Sequence, residues 1–166
     1  MGTESAKAAA PRLLILSRDS LLAATGDGNA ANDGAVLRRL AHLTRRGCHL
    51  LLIASEPDQW FPTRSSGDNV LTAQAKIRER IQQFGGDLDG IYYVPRSRFS
   101  ESRNRSGALS DILDRYHCEA AEALLVSGSE RLLDAATDLG MRIRDTRTRG
   151  APGDAGALER VVEDLG

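Results

Sequence analysis

Four short polar segments follow runs of apolar residues, and they contain the side chains best suited to chemistry. They are Ser17–Ser20, Ala54–Glu56, Val94–Arg96 and Ser127–Ser129. The guanidinium of Arg96 is of the type that binds phosphate oxygens. Asp19 adds a carboxylate that could serve as a general acid or base, although an aspartate directly after a strand serves equally well as a capping or turn residue.

A group of arginines lies between Pro95 and Ser106, a segment without apolar periodicity that we predict to be a loop. Its members are Arg96, Arg98, Arg103 and Arg105. Planar guanidinium groups hold phosphate oxygens through paired hydrogen bonds, which makes the group a candidate anion pocket. The alternative is a solvated loop in an arginine-rich chain, and the sequence leaves both interpretations open.

Two Cys–His pairs, Cys48–His49 and His117–Cys118, offer ligand types that zinc prefers. Adjacent residues of a strand point to opposite faces of the sheet, which disfavours a shared ion. We therefore predict that Cys48 packs as a small apolar residue and that no metal binds here.

Trp60 and Phe61 are neighbouring aromatic residues in the polar segment 58–69. Aromatic residues are enriched at protein interfaces, but isolated exposed ones are normal. The pair is equally compatible with a partner surface and with a cover over the edge of a sheet.

Five apolar runs alternate with helical patterns, and these elements must position the polar segments. The predicted strands are Leu13–Leu16, Leu50–Ala54, Ile91–Val94, Ala123–Val126 and Met141–Ile143. Apolar residues recur at helical spacing over about 36–43, 70–84, 108–116, 132–139 and 158–165. This alternation predicts a parallel sheet covered by helices on both faces, with ligands beyond the carboxyl ends of the strands.

Length and composition predict one globular domain over residues 12–166, after a flexible tail over residues 1–11. The chain has 166 residues, of which 41% are hydrophobic and 27% are charged, and its net charge of −1 gives no field that would attract nucleic acid. The longest apolar run is too short to span a membrane, and the first residues lack the pattern of a signal peptide. Two cysteines make no disulfide framework, and we expect a cytoplasmic protein.

The polar segments resemble, in order and spacing, the motifs of the haloacid dehalogenase (HAD) superfamily of phosphatases. The similarity is to the branch of small histidinol-phosphate and heptose-bisphosphate phosphatases. Residues 17–22 resemble D-R-D-G-T-L, residues 54–56 T-N-Q, residues 92–96 Y-Y-C-P-H, residues 102–109 R-K-P-K-P-G-M-L, and residues 126–132 V-G-D-S-x-x-D. This resemblance, over about residues 12–150, implies a Rossmann-like three-layer α/β sandwich with a mainly parallel sheet. No large cap domain is expected, because the intervening loops Thr25–Gly34 and Asp58–Asn69 are short.

The resemblance also implies a reaction, in which an aspartate nucleophile forms a phosphoenzyme and a second carboxylate, two residues later, transfers the proton. Ser17 stands at the nucleophile position and Asp19 at the position of the general acid or base. A serine hydroxyl is neutral near pH 7 and is a poor nucleophile without an adjacent base. The catalytic candidate is therefore Asp19 in a degenerate site.

The remaining positions of the motifs concern the phosphate and the Mg²⁺ ion that the family uses. Ala54 stands at the hydroxyl position, with Ser55 beside it, and Arg103 stands at the position of the lysine. The carboxylates that would hold Mg²⁺ are replaced by Gly128 and Leu132. We predict that Ser55 and Arg103 bind phosphate and that no metal is bound.

The zinc loop of this branch is also altered, since Val94 and Arg96 occupy its first two ligand positions and residues 97–102 contain no cysteine. We therefore expect no cofactor. The prediction that follows is a catalytically silent pseudo-phosphatase that acts as a binding or regulatory module. The alternative is a hydrolase of small phosphate esters, of the heptose-bisphosphate or histidinol-phosphate type, with altered machinery. The expected partner is a phosphate-bearing small molecule or a protein. We expect neither nucleic acid nor a membrane as a partner.

Overall fold

The computed structural model describes residues 9–25, 33–55, 67–95, 101–147 and 155–165. Strands and helices alternate along them, with one interruption where two helices follow each other. The elements are β1 (Leu13–Ser17), α1 (Arg18–Thr25), α2 (Asp33–Arg45), β2 (His49–Ser55), α3 (Gly67–Gln83), β3 (Gly90–Val94), α4 (Glu101–Arg115), β4 (Ala123–Ser127), α5 (Glu130–Asp138), β5 (Arg142–Asp145) and α6 (Ala155–Asp164). A short 3₁₀ turn, Ala120–Glu122, precedes β4.

The five strands form one parallel sheet in the order β3-β2-β1-β4-β5. The central strand β1 is buried on both sides, because its residues Leu13 to Leu16 are at most 1% exposed. Continuous apolar runs of this kind are typical of parallel strands covered on both faces. The predicted α/β class with a parallel sheet is therefore confirmed.

Successive residues of β1 contribute to two separate cores, one on each face of the sheet. Leu14 and Leu16 pack with apolar residues of α1, α2, α3 and α6. Leu13 and Ile15 pack with those of α4 and α5. This alternation follows from the two-residue period of a strand. It gives the predicted three-layer Rossmann-like sandwich, and the described residues form no cap domain above it.

Helix α1 begins directly after β1, where the sequence predicted a polar stop and then a loop from Thr25 to Gly34. Leu21 and Thr25, four residues apart, are its buried positions, and the Thr25 hydroxyl donates to the carbonyl of Leu21 at 2.9 Å. The apolar stripe is too short to be read from the sequence, and the carboxylate of Asp19 favours the first turn of a helix. Gly34 likewise belongs to α2, and residues 26–32 lie outside the described ranges.

The predicted loop from Pro95 to Ser106 is wrong for its second half, because α4 begins at Glu101. None of residues 103–107 is buried, so the apolar stripe of α4 starts only at Ala108. The first turns of the helix therefore show no apolar periodicity in the sequence. Arg103 and Arg105 are therefore helical residues. Arg96 and Arg98, like Trp60 and Phe61, lie outside the described residues.

The residues just before β1 contact the rest of the domain. Pro11 is buried, and the carbonyl of Ala9 accepts a hydrogen bond from the guanidinium of Arg142 at 2.9 Å. The backbone of Arg12 bonds to both neighbouring segments, donating to Glu122 and accepting from His49. The last three residues of the predicted tail are thus anchored against the amino edge of the sheet.

One glycine is required by close packing between α2 and the segment that follows α3. A Cβ atom on Gly86 would lie 2.6 Å from the Cβ of Ala41 and 2.7 Å from Oγ1 of Thr44, and it would also overlap the Cα of Ala41. Real Cβ atoms do not approach so closely, so any larger residue here separates the two elements.

None of the described helices is long and apolar enough to cross a membrane.

Candidate functional site at the carboxyl edge of the sheet

The parallel sheet brings three of its terminal serines to one edge. Ser17 ends β1, Ser55 ends β2 and Ser127 ends β4. In the register of the sheet, Ser17 pairs with Ile53, so that Ser55 extends two residues further along the edge. The edge where parallel strands end is where ligands bind in open α/β sheets.

Asp19 lies in the first turn of α1, with its side chain 82% exposed. Its Oδ1 atom accepts from Nε and Nη2 of Arg18, each at 3.3 Å. A carboxylate in this position also stabilises the positive end of the helix dipole. The geometry therefore places Asp19 at the candidate site and gives it a structural role there, and its role as an acid or base stays a prediction.

Arg18 connects the candidate site to helix α3. In the sequence it was noted only as part of a motif. Its side chain is 18% exposed, and its Nη1 atom lies 3.5 Å from Oε1 of Gln74 on α3. Gln74 is itself buried. The sequence indicated that Gln74 is buried, because it lies on the same helical face as the apolar residues Ile77 and Ile81. It did not indicate that Arg18 is its partner.

A cluster of hydroxyl groups surrounds Gly128, the first residue after β4. The hydroxyls of Ser20 and Thr146 are 3.1 Å apart, and the backbone N–H of Thr146 donates to the carbonyl of Ser127 at 3.0 Å. The Ser127 hydroxyl accepts from the backbone N–H of Ser129 at 3.0 Å. The segment after β5 is therefore fastened across the end of β4 and against α1.

Arg147 follows this cluster and is held by two carboxylates. Its Nη2 and Nε atoms lie 2.6 and 3.0 Å from Oδ2 of Asp145, and its Nη1 atom lies 3.4 Å from Oε2 of Glu130. The side-chain hydrogen bond from Arg147 lowers the pKa of Asp145 below its ordinary value. The same hydrogen bond raises the pKa of the Arg147 guanidinium. Neither Thr146 nor Arg147 was predicted from the sequence, because only the folded sheet brings Thr146 beside Ser20 and Arg147 near Gly128.

The residues at the expected metal positions do not fit Mg²⁺, which requires well-placed oxygen ligands. Ser17 offers a neutral hydroxyl, and Leu132 is a buried apolar residue of the core under α5. Gly128 has no side chain to offer, and a Cβ there would lie 3.1 Å from Oγ1 of Thr146, a tight contact that requires Thr146 to shift slightly. No group of three or more potential ligands of the Cys, His and carboxylate types occurs among the described residues.

The two predicted phosphate ligands lie on the side of the edge nearest to β3. Ser55 is exposed and pairs in register with Val94. Arg103 is exposed in the first turns of α4, and the next residue, Asn104, donates to the carbonyl of Pro95 at 3.1 Å. The hydrogen bond anchors this end of α4 just beyond β3. Arg103 itself makes no hydrogen bond or ion pair with the described residues, and its phosphate role stays a prediction.

The two Cys–His pairs lie at the opposite, amino edge, with Cys48–His49 at the start of β2 and His117–Cys118 before β4. Cys48 packs in the core with α2 and α3, whereas Cys118 packs in the core with α4 and α5. Burial raises the pKa of the Cys48 thiol to about 11. His49 Nδ1 lies 2.9 Å from Oδ2 of Asp89, and its ring lies 5.0 Å from that of Tyr116. The predicted apolar packing of Cys48 is confirmed.

Comparison with known proteins gives two kinds of match. The heptose-1,7-bisphosphate 7-phosphatases of Neisseria meningitidis serogroups A and B are each 25% identical over 139 residues, which is 78% of this chain and 73% of theirs. No family model matches the chain.

Solved structures share the fold at lower identity. The D,D-heptose 1,7-bisphosphate phosphatase of B. bronchiseptica, solved with magnesium and phosphate, has a TM-score of 0.62 and 22% identity, covering 92% of this chain and 99% of that one. A putative HAD-like phosphatase from Mesorhizobium loti has a TM-score of 0.60 and 13% identity, with 95% and 87% coverage. These structures establish the fold.

Proposed function

We propose, from the relationship of this chain to the HAD-superfamily phosphatases and to those of the heptose-bisphosphate type, that it is a catalytically silent member. In this proposal the protein binds a phosphate-bearing ligand at the carboxyl edge of its sheet and does not hydrolyse it. Its role is that of a binding or regulatory module.

The observation that carries the proposal is the residue at the end of the central strand. Ser17 stands where the resemblance requires a carboxylate nucleophile, and no described side chain forms a hydrogen bond with its hydroxyl that would activate it. Covalent catalysis by serine depends on such a base. Asp19, two residues later, faces solvent and is contacted by Arg18. Without a nucleophile no phosphoenzyme forms, so a general acid or base at position 19 has no proton transfer to perform.

The environment of Gly128 supports the same conclusion. Thr146 and Ser20 occupy the space beside it, and the nearby cation is the guanidinium of Arg147, which is engaged by Asp145 and Glu130. Position 128 thus carries no side chain that could extend toward a metal, and its closest neighbour is the hydroxyl of Thr146. We derive no catalytic step through Mg²⁺.

Binding of phosphate does not need the lost groups. Backbone N–H groups at the ends of β1 and β2 do not depend on side-chain identity. Ser55 ends β2, and Arg103 lies in the first turns of α4, which follows β3. An arginine holds an oxyanion without help from a metal. The ligand class proposed is therefore a phosphate-bearing small molecule or protein segment.

The test is a hydrolysis assay on the purified chain with Mg²⁺, using p-nitrophenyl phosphate and a panel of sugar phosphates. We expect no turnover above that of a mock preparation. Turnover that disappears in Asp19→Asn would overturn the proposal. Titration with phosphate, comparing the parent with Arg103→Ala, tests the binding half. Equal affinities of the two proteins for phosphate would show that Arg103 does not bind the ligand.

The second candidate is a hydrolase of small phosphate esters with altered machinery. The retained carboxylate of Asp19 and the names of the Neisseria relatives favour it. It predicts turnover that depends on Asp19 and is selective for sugar phosphates, which the same assay measures.

A further inference from the structure

A glutamine occupies an interior position of α3. Gln74 is 6% exposed, and it lies on the same helical stripe as Ile77 and Ile81, which face the core beneath the sheet. Residues separated by three and seven positions share one face of a helix. Buried amide groups in proteins are almost always hydrogen-bonded, so the partners of Gln74 require an explanation.

Only one of the hydrogen-bonding atoms of this amide has a partner among the residues that the structure describes. Its Oε1 accepts from Nη1 of Arg18 at 3.5 Å, which is the long limit for such a bond. Its Nε2 group donates to none of these residues. A buried donor without an acceptor is costly, because it has lost water and gained nothing in exchange.

The guanidinium of Arg18 also has N–H donors without a partner among the residues that the structure describes. It carries five N–H donors on a side chain that is 18% exposed, and its bonds to Oδ1 of Asp19 are 3.3 Å long. Charge-assisted bonds of this type are shorter when optimal, at about 2.7–2.9 Å. Arg18 directly follows Ser17, so this weakly bonded cation lies at the end of the central strand.

We infer that Arg18 and Gln74 form the recognition element for the phosphate group of a small-molecule ligand. An oxyanion offers acceptors to the Nε2 group of Gln74 and to the free donors of Arg18 together, whereas water or an alcohol offers no matching charge. This inference rests on the proposed function, since it names the residues that hold the ligand. The carboxylate of Asp19 then competes with the ligand for the guanidinium.

The experiment is calorimetric titration of the full chain with inorganic phosphate at constant ionic strength. Gln74→Glu replaces the free donor by a carboxylate that binds Arg18, and we expect affinity for phosphate to fall at least tenfold. Gln82→Glu is the matched control, because it adds the same charge to an exposed position of α3. We expect it to stay within twofold of the parent. Equal affinities of the two variants, or no heat with the parent, would overturn the inference.

Two further variants protect the test against misfolding. Gln74→Leu removes the donor without adding charge and matches the apolar surroundings. We expect it to melt no lower than the parent and to bind phosphate more weakly. Asp19→Asn removes the competitor, and we expect affinity to rise about threefold. A loss of folding in Gln74→Leu would mean that the amide is a satisfied structural group, which contradicts the inference.

The outcomes separate this inference from the proposed function. If Arg103→Ala loses phosphate binding and both Gln74 variants keep it, the proposed function is supported. The inference that Arg18 and Gln74 hold the phosphate is then wrong. If the protein shows turnover that depends on Asp19, and phosphate binding still depends on Gln74, the proposal of catalytic silence is wrong. The inference about Arg18 and Gln74 is then supported.

Discussion

The hydroxyls of Ser20 and Thr146 are 3.1 Å apart although 126 positions separate them in the chain. Ser20 belongs to the first turn of α1, and Thr146 directly follows the edge strand β5. Their contact lies beside Gly128, where a Cβ would approach Oγ1 of Thr146 to 3.1 Å. The first turn of α1 and the segment after the edge strand are thus joined beside Gly128, the position that the resemblance assigns to a metal ligand.

Ser17→Asp alone is expected to stay inactive. The substitution supplies a nucleophile, but it places a second carboxylate near Asp19 without a cation between them, which raises at least one pKa. The assay is Mg²⁺-dependent hydrolysis of a phosphate ester, with the parent chain as reference. Measurable activity in the single variant would mean that a metal site survives.

Adding Gly128→Asp to Ser17→Asp is also expected to give no activity. A Cβ at position 128 lies only 3.1 Å from Oγ1 of Thr146, so the new side chain must push Thr146 away, which strains its 3.1 Å contact with Ser20. We expect the melting temperature of the double variant to fall below that of Ser17→Asp. A third change, Thr146→Gly, should recover part of that loss, and its failure to do so would show that crowding is not the cause.

Millimolar Mg²⁺ is expected to leave the melting temperature of the parent unchanged. A ligand that binds only the native state must stabilise it, and Ser17, Gly128 and Leu132 provide no carboxylate. The measurement is thermal unfolding in MgCl₂ against NaCl at equal ionic strength. A rise that saturates with Mg²⁺ and is absent in NaCl would contradict the prediction.

Asp145 should contribute to stability above about pH 4 and lose its contribution in more acidic solution. Its pKa is held below the ordinary value of 3.8, mainly by the side-chain hydrogen bond from Arg147. The folded state therefore keeps the carboxylate ionised at pH values where the unfolded chain takes up a proton, so lowering the pH favours unfolding. The measurement is urea unfolding of the parent and Asp145→Asn between pH 3 and pH 7. The two curves should converge at the acidic end, and a constant difference would refute this assignment.

Gly86→Ala is expected to destabilise the fold by about 1–3 kcal/mol, because its Cβ meets Ala41 and Thr44. Gly107→Ala is the matched control, since nothing lies within 4 Å of a Cβ there and the residue is inside α4. In a helix interior this change stabilises by about 0.5–1 kcal/mol. Chemical denaturation of both variants measures the contrast, and similar values would contradict the packing described.

The strands were predictable because their signal is local. Leu13–Leu16 and Ala123–Val126 are continuous apolar runs, and burial on both faces of a sheet requires such runs. Helix α1 was not predicted, since its buried side is limited to Leu21 and Thr25. The first turns of α4, which carry Arg103, were not predicted because none of residues 103–107 is buried.

The candidate site was predictable only in part, for a related reason. The edge where Ser17, Asp19 and Ser55 gather follows from strand direction, which the alternation of elements fixes. The contacts of Thr146 and Arg147 depend on which strands become neighbours, and no local pattern specifies that order. Gln74 lies between these cases, because a polar residue in an apolar helical stripe is visible in the sequence but its partner is not.

The distribution of the two cysteines gives the molecule an internal probe in each layer. Cys48 packs in one core and Cys118 in the other, and the two cores cover opposite faces of the sheet. A thiol-specific reagent added to the native protein therefore reports the opening of one helical layer at Cys48 and of the other at Cys118. Single-cysteine versions of the chain, followed by mass spectrometry, would reveal whether the two faces of the sheet separate together or one before the other.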